Sequence, residues 1–355
     1  MTRRLRPDQA VAAAAALRDG AIVALPTETV YGLAADVRRP DAIDDVFRAK
    51  GRPASDPLIV HVSHALLGDD IPAGLIASGW AADGPWRGAV EALATAAWPG
   101  PLTVVLPRGP RASDRITACG PSVAIRIPAH PSTLEVLAHL GDAVVAPSAN
   151  RFGRISPTHV EAVLAELEGE IDAVLDGGPC DIGIESTVIG LTGEPTILRP
   201  GAFDEAQLAQ WLGTPVRPAP HRPRTGALAA PGLLDRHYAP QTRLVRLAPT
   251  ATWDDDAEPP DSAATLLCWS EPHRQARRWT ETLPWSCLCP TGDVAGAARL
   301  LYATLRALDN QGHQTLYVEV PPQGPGLLSA LDDRIRRASS STPVLRPTRT
   351  GLVPA

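Results

Sequence analysis

Residues 21–33 read AIVALPTETVYGL. The five apolar residues from Ala21 to Leu25 have the length of one buried strand, and they open at once into a loop carrying Thr27, Glu28 and Thr29. A helix-like segment, residues 8–18, comes just before, with Gly20 past its end; glycine in that place commonly stops a helix. A helix feeding a buried strand that ends in hydroxyls and a carboxylate is the pattern of an α/β sheet, where ligands sit at strand ends.

The alternation continues outward. Apolar runs of strand length recur at 58–62, 102–106, 123–127, 143–146, 173–175, 187–190 and 196–198. Helix-like segments at 42–50, 89–97, 131–139, 157–167 and 204–212 lie between and after them. They predict one α/β domain over residues 1–212. Residues 213–241 are rich in proline and poor in periodic apolar positions, which predicts a stiff, extended linker. A second α/β domain is expected over 242–355, with strands at 244–247, 264–268 and 315–320 and helices at 296–309 and 326–337. A chain of 355 residues accommodates two such domains.

Composition narrows the function classes. Aromatics are 4% of the chain, so the cores must be built from Val, Leu, Ile and Ala. The net charge of −6 leaves no broad basic surface, which argues against tight direct nucleic-acid binding while allowing a local basic cleft. The five cysteines are scattered without zinc-ligand spacing, so no metal centre is expected and free thiols in a reducing cytoplasm are. Arg3-Arg4 before the alanine-rich run has no cleavage-like site after it, and no apolar run is long enough to span a membrane. A cytoplasmic protein is expected.

Lys50 is the only lysine; the other 32 basic residues are arginines. A lysine places a compact point charge where arginine presents a planar fork. Lys50 and Arg52 stand two apart at a helix end, freed by Gly51 and Pro53, and such a pair grips a polyphosphate. The plainer role is a pair of favourable charges at a helix C-terminus, whose contribution to stability is small. His61 ends a strand, where a satisfied core imidazole is the plainer reading. Ser148 and Asn150 follow another strand and offer donors to phosphate or ribose, though a capped turn explains them as well. Gly177-Gly178 permits close approach to backbone. Arg126 and Arg199 each end an apolar strand, where a cation needs a partner that a bound carboxylate or phosphate would supply. No phosphate-binding GxxxxGK[ST] loop, dinucleotide fingerprint, HExxH motif or nucleophile elbow occurs. The residues by themselves define an anion-handling α/β enzyme without naming its substrate.

Seven segments in order, PTETVYGL, AKGRP with DPLIVHV, WPGPLTVVLP, VAIRIPAHP, APSANRFGRISPT, DGGPCDIGIESTVI and ILRPGA, resemble the YrdC-domain family in the long two-domain form of the threonylcarbamoyl-AMP synthases. PGLLDRHYAP at 231–240 resembles the segment that in this family reaches back to the nucleotide, and LSALDDRIRRAS at 328–339 resembles the end of its C-terminal domain. The resemblance implies a YrdC-like twisted mixed sheet with a concave basic face, followed by a smaller Rossmann-like α/β domain. It implies condensation of L-threonine, bicarbonate or CO2, and ATP into threonylcarbamoyl-AMP and pyrophosphate. A separate complex would then pass the threonylcarbamoyl group to tRNA.

By the same resemblance Thr27, His61, Arg126 and Ser186 hold threonine, with Arg126 on its carboxylate. Lys50, Arg52, Ser148, Asn150 and Arg199 hold the nucleotide, Ser122 and Ser156 are further nucleotide candidates, and His237 and Tyr238 close over it as a lid. Lys50 and Arg52 carry the catalytic charge neutralisation. Mg2+ is implied with ATP, without a dedicated protein cage. The sequence departs from the family at Ala230, where a serine is common, and over residues 64–98, whose extra Gly- and Trp-containing sequence predicts a lengthened surface loop or helix. Two rivals remain: a carbamoyl-group transferase, which would carry additional metal-binding domains, and a non-catalytic double-stranded-RNA-binding module, which fits poorly with an acidic chain.

Overall fold

A computed structural model describes residues 1–219, 237–340 and 342–355. Most of the expected linker, including Ala230 and the PGLLDR residues, lies outside the described residues. Two compact units emerge, one of Met1–Phe152 and Ser156–Leu234, the other of Gly153–Ile155 and Asp235–Ala355.

The first unit runs β1 Arg3–Leu5, α1 Ala10–Arg18, β2 Val23–Leu25, β3 Gly32–Asp36, α2 Pro40–Lys50 and β4 Ile59–His61. Next come α3 His64–Leu67, α4 Ile71–Ala77, α5 Arg87–Ala97, β5 Leu102–Pro107, α6 Asp114–Thr117 and β6 Ser122–Arg126. It closes with α7 Pro131–Leu140, β7 Val144–Val145, α8 Val160–Leu167, β8 Ala173–Leu175, β9 Thr187–Gly190, β10 Thr196–Arg199, α9 Glu205–Leu212 and β11 Arg217–Pro218. The strands form one twisted mixed sheet in the order β1-β8-β2-β3-β7-β4-β6-β5-β9-β10-β11. Parallel pairs such as β4–β6 and β5–β9 alternate with antiparallel ones such as β2–β3 and β5–β6.

Residues directly paired across a sheet share a face, so the register assigns the two faces. Ala24, Leu33, Ala35, Val145, Val60, Ile125, Val104 and Ile189 lie on one, in the main hydrophobic core with Ile43 and Val46 of α2 and Val90 and Leu93 of α5. On the other face Val23, Leu25, Ala34 and Val144 pack under α1 and α7. That second apolar cluster ends at β7, and on the same face of β4, β6, β5 and β10 polar side chains begin.

Three departures from the sequence expectations have local causes. β1 and β3 are unannounced, because one is three residues long and the other, Gly-Leu-Ala-Ala-Asp, has no β-branched residue. Helix α8 starts at Val160 rather than 157, since the His159 side chain accepts the Ala162 N–H and caps it there. Residues 64–98 are helical, one of the two forms expected, but they are not confined to the surface. They build α3, α4 and α5, and Trp80, Trp86 and Trp98 are all buried in the main core.

The second unit contains β12 Arg243–Leu247, β13 Ala264–Cys268, α10 Arg277–Thr282, β14 Trp285–Cys287, α11 Val294–Asp309, β15 Thr315–Glu319, α12 Leu327–Ala338, β16 Leu345–Thr348 and β17 Gly351–Pro354. Its sheet has the order β14-β13-β15-β12-β16-β17, parallel except for β17. Helix α11 buries Ala298, Leu301, Leu305 and Leu308 at helical spacing, while Trp253, Trp279 and Tyr317 pack ring on ring in the core. Among the described residues no helix is long and apolar enough to cross a membrane.

Candidate active site

The polar stretch of the sheet is read from the register. His61 on β4 pairs with Arg126 on β6. Thr103 on β5 comes next to Arg126 in line and pairs with Val188 on β9, which pairs with Arg199 on β10. Five neighbouring strands therefore present one row on one face, and Ser186, two residues before Val188, joins it. Ile59, Ala124, Val105 and Val188 form a small apolar floor beside these residues. Apart from Val188 the row is polar, yet all of it is buried. Buried polar groups must find partners, and those partners define the site.

Arg126 donates from Nε to the Gly100 carbonyl (3.1 Å), from Nη1 to Thr29 Oγ1 (2.9 Å) and from Nη2 to Glu28 Oε1 (2.6 Å). The cation expected to wait for a substrate therefore already has a carboxylate. Burial works against the Glu28 charge, but the Arg126 guanidinium and the Ala129 N–H outweigh it and hold its carboxyl below the usual range. His61 Nδ1 lies 3.3 Å from the Ile59 carbonyl, while its Nε2 has no partner among the described residues. Burial, reinforced by Arg126, pushes the imidazole down to about 3, so it is neutral. With Nδ1–H on the carbonyl, Nε2 is a bare acceptor. Thr27 Oγ1 donates to the Val30 carbonyl at 2.6 Å and accepts the Thr29 and Val30 N–H groups, so its hydroxyl is spent in its own turn. Ser186 sits elsewhere in the row, with Oγ 2.8 Å from Thr103 Oγ1 and 3.1 Å from Arg199 Nη2, and Arg199 Nε donates to the Ser186 carbonyl.

The second group is set by the end of α2. Gly51 adopts φ 60°, and the Gly51 and Arg52 N–H groups turn back onto Arg48 and Phe47. That turn sends Lys50 inward. It is not an exposed helix-end charge: its Nζ donates to the Ser148 and Asn150 carbonyls, the latter at 2.6 Å, and the side chain is buried. Burial, then the neighbouring Arg52, pushes its pKa well below the ordinary lysine value. Two of three N–H groups are used; the third has no acceptor among the described residues. Arg52 folds onto the turn that follows, donating to the Asp56 and Pro57 carbonyls and ion-paired with Asp56 at 2.9 Å. The Asp56 oxygens are buried and accept no hydrogen bond of good geometry, and burial raises its pKa against the pull of Arg52, Lys50 and Arg199. Lys50, Arg52, Arg199 and Asp56 are thus one electrostatic cluster.

Of the other candidates, Asn150 donates to the Arg151 carbonyl at 2.7 Å, Ser156 Oγ bonds Glu185 Oε1 at 2.6 Å, and Ser122 and Ser148 are half-buried. His237 and Tyr238 fall in the segment expected to be a stiff, extended linker. Both are buried in the second unit, where Tyr238 stacks on Tyr302 at 5.7 Å with Arg334 5.2 Å from its ring. Glu28 is visible in its loop but gets no role from the sequence, and Thr103, Asp56 and Glu185 get none either; the part a buried carboxylate plays becomes visible only when its partners are placed.

An α/β sheet carrying a neutral imidazole, two guanidiniums and hydroxyls in one buried row, with an interior lysine nearby, offers the donors and acceptors that suit small carboxylates and polyphosphates. Comparisons narrow the class. The Sua5–YciO–YrdC family model, described as telomere recombination, matches residues 15–201, and the model for the threonylcarbamoyl-AMP synthase C-terminal domain matches residues 204–340. Threonylcarbamoyl-AMP synthases of Bacillus subtilis and Pyrococcus abyssi are 39% and 38% identical over 66% of this chain and 66% of each relative, so those alignments span about two thirds of the relatives' length. The Schizosaccharomyces pombe synthase is 32% identical over 90% of this chain and 85% of its own. The crystal structure of P. abyssi Sua5 complexed with L-threonine superposes with a TM-score of 0.79 at 30% identity, covering 96% of this chain and 98% of that one. The chain belongs to the threonylcarbamoyl-AMP synthase family.

Proposed function

We propose that this chain condenses L-threonine, bicarbonate or CO2, and ATP into threonylcarbamoyl-AMP and pyrophosphate, supplying the intermediate of tRNA threonylcarbamoyladenosine modification to a separate transfer complex. The observation that carries the reading is the polar row. Neutral His61 Nε2, an amine acceptor, stands in register beside Arg126, a carboxylate donor, as an α-amino acid requires. Arg126 takes the threonine carboxylate, His61 accepts from the amine, and Ser186 lies along the same row. Thr27 acts by shaping its loop, since its hydroxyl is occupied. Lys50 offers its remaining N–H to a phosphate oxygen. Arg52, Arg199, Ser148 and Asn150, with Ser122 and Ser156, complete the nucleotide side.

The amine nitrogen attacks CO2, loses a proton and becomes a carbamate. A carbamate oxygen attacks the α-phosphorus, and the bond to the β-phosphate breaks with its electrons on pyrophosphate. Little covalent help is needed; the protein positions the reactants and neutralises charge. Among the described residues no group of three or more His, Cys, Asp or Glu could cage a metal. Mg2+ would enter on the triphosphate, where it would supply charge neutralisation; the buried oxygens of Asp56 would fit beside it once phosphates offset the surrounding cations.

Pyrophosphate release should require both L-threonine and bicarbonate. Serine, one methyl group smaller, should be poorer by roughly 1 kcal/mol or a little more in kcat/KM. Equal release with no amino acid present would defeat the proposal.

A further inference from the structure

Glu28 is buried, and neither of its oxygens is idle. Oε1 meets Arg126 Nη2 at 2.6 Å and Oε2 accepts the Ala129 N–H at 3.0 Å. Arg126 carries five N–H groups. Three are taken, by Gly100, Thr29 and Glu28. The remaining two, one on Nη1 and one on Nη2, have no acceptor among the described residues. A guanidinium is a rigid plane, so three anchors at three nitrogens fix where the last two N–H vectors point. One hydrogen on each terminal nitrogen, the two pointing to the same side, is the end-on set that a carboxylate takes in bidentate fashion.

We propose that Glu28 is a positioning residue for the amino-acid substrate: it holds the Arg126 guanidinium so that the last N–H of Nη1 and of Nη2 together receive the substrate carboxylate. This rests on the reading that Arg126 binds the threonine carboxylate. Glu28 has a second effect. It balances the Arg126 charge in the empty site, so a bare carboxylate gains little net Coulomb attraction there. Affinity then depends on bidentate geometry together with the amine contact at His61, which favours an α-amino acid over a simple organic acid.

The test compares wild type with Glu28→Gln, which keeps the shape and one acceptor, and Glu28→Ala. Threonine and ATP KM are measured by pyrophosphate release, and L-threonine and L-threoninamide binding by calorimetry on nucleotide-free protein. Glu28→Ala should raise the threonine KM at least tenfold and leave the ATP KM within about twofold. The preference for threonine over its amide should fall by a similar factor, with Glu28→Gln intermediate. Unchanged threonine KM and unchanged preference would overturn the proposal, as would threonine and ATP KM rising together, which marks a general structural loss. If Glu28→Ala does not fold, Glu28→Gln decides by the same two readouts. A wild type without threonine-dependent pyrophosphate release would instead sink the functional reading itself.

Discussion

Two residues concentrate the physics of this site. The Lys50 side chain occupies a space defined by two carbonyls, and an arginine fork cannot place one compact charge there. Lys50→Arg should therefore lose about 10- to 100-fold in kcat/KM, the worth of a charge-assisted contact. Lys50→Ala should also cost the fold about 2–4 kcal/mol, because the Ser148 and Asn150 carbonyls lose their donor. Pyrophosphate release and thermal melting check both effects, and near-normal activity in Lys50→Arg would remove the phosphate role. His61 sets a pH dependence. In the unfolded chain the imidazole protonates below about 6.5; in the fold it stays neutral down to about 3. Between those values the unfolded chain binds the extra proton. The contribution is complete above pH ~6.5 and is lost as pH falls toward 3, by up to about 1.4 kcal/mol per pH unit. Glu28, whose folded pKa is also lowered, acts in the same direction at more acid pH. Urea-unfolding free energies should thus drop from pH 7 to pH 5, and His61→Gln should flatten that slope; an unaltered slope would contradict the assignment.

At the scale of elements, two glycines that look alike in sequence have different duties. Gly51 closes α2 with φ 60°, and a Cβ there would meet nothing within 4 Å. Gly51→Ala should cost only the left-handed backbone strain, about 1–2 kcal/mol. A Cβ on Gly201 would fall 2.3 Å from the Thr187 nitrogen and 2.8 Å from the Ser186 carbonyl carbon. Backbone cannot yield as a flexible side chain does, so Gly201→Ala must push the turn after β10 away from Ser186 and disturb Arg199 with it. The measurable expectation is a larger fall in melting temperature for Gly201→Ala than for Gly51→Ala, with activity lost out of proportion to stability. The reverse order would show that the β9–β10 end is not rigid.

For the molecule as a whole, the question is which unit owns the expected lid residues. Tyr238 is a buried ring stacked on Tyr302, and both belong to the second unit. Tyr238→Ala should cost that unit about 3–5 kcal/mol, the usual price of deleting a large buried ring. Hydrogen exchange read separately for residues 243–355 and 3–199 provides the check. Protection should fall in the former and hold in the latter; equal loss in both, or none, would refute the assignment.

Much of this was legible along the chain. Apolar runs of strand length fix their own burial, so β2, β5, β6, β8, β9 and β10 of the first unit, and β12, β13 and β15 of the second, were found within a residue or two. The end of α2 was legible too, since only glycine readily takes the left-handed turn after Lys50. The site's motifs carried their residue types, and the seven ordered segments carried the family. What local sequence could not carry is pairing. Glu28 is separated by 98 positions from Arg126, Lys50 by 98 from Ser148 and Thr103 by 83 from Ser186. Strand register alone aligns His61, Arg126, Thr103 and Arg199 on one face, and burial alone makes their partners obligatory. The sequence by itself determined which chemistry is present; the tertiary structure decided which groups are already satisfied and which N–H and lone pairs remain for a substrate, because only packing removes the water that would otherwise satisfy them all.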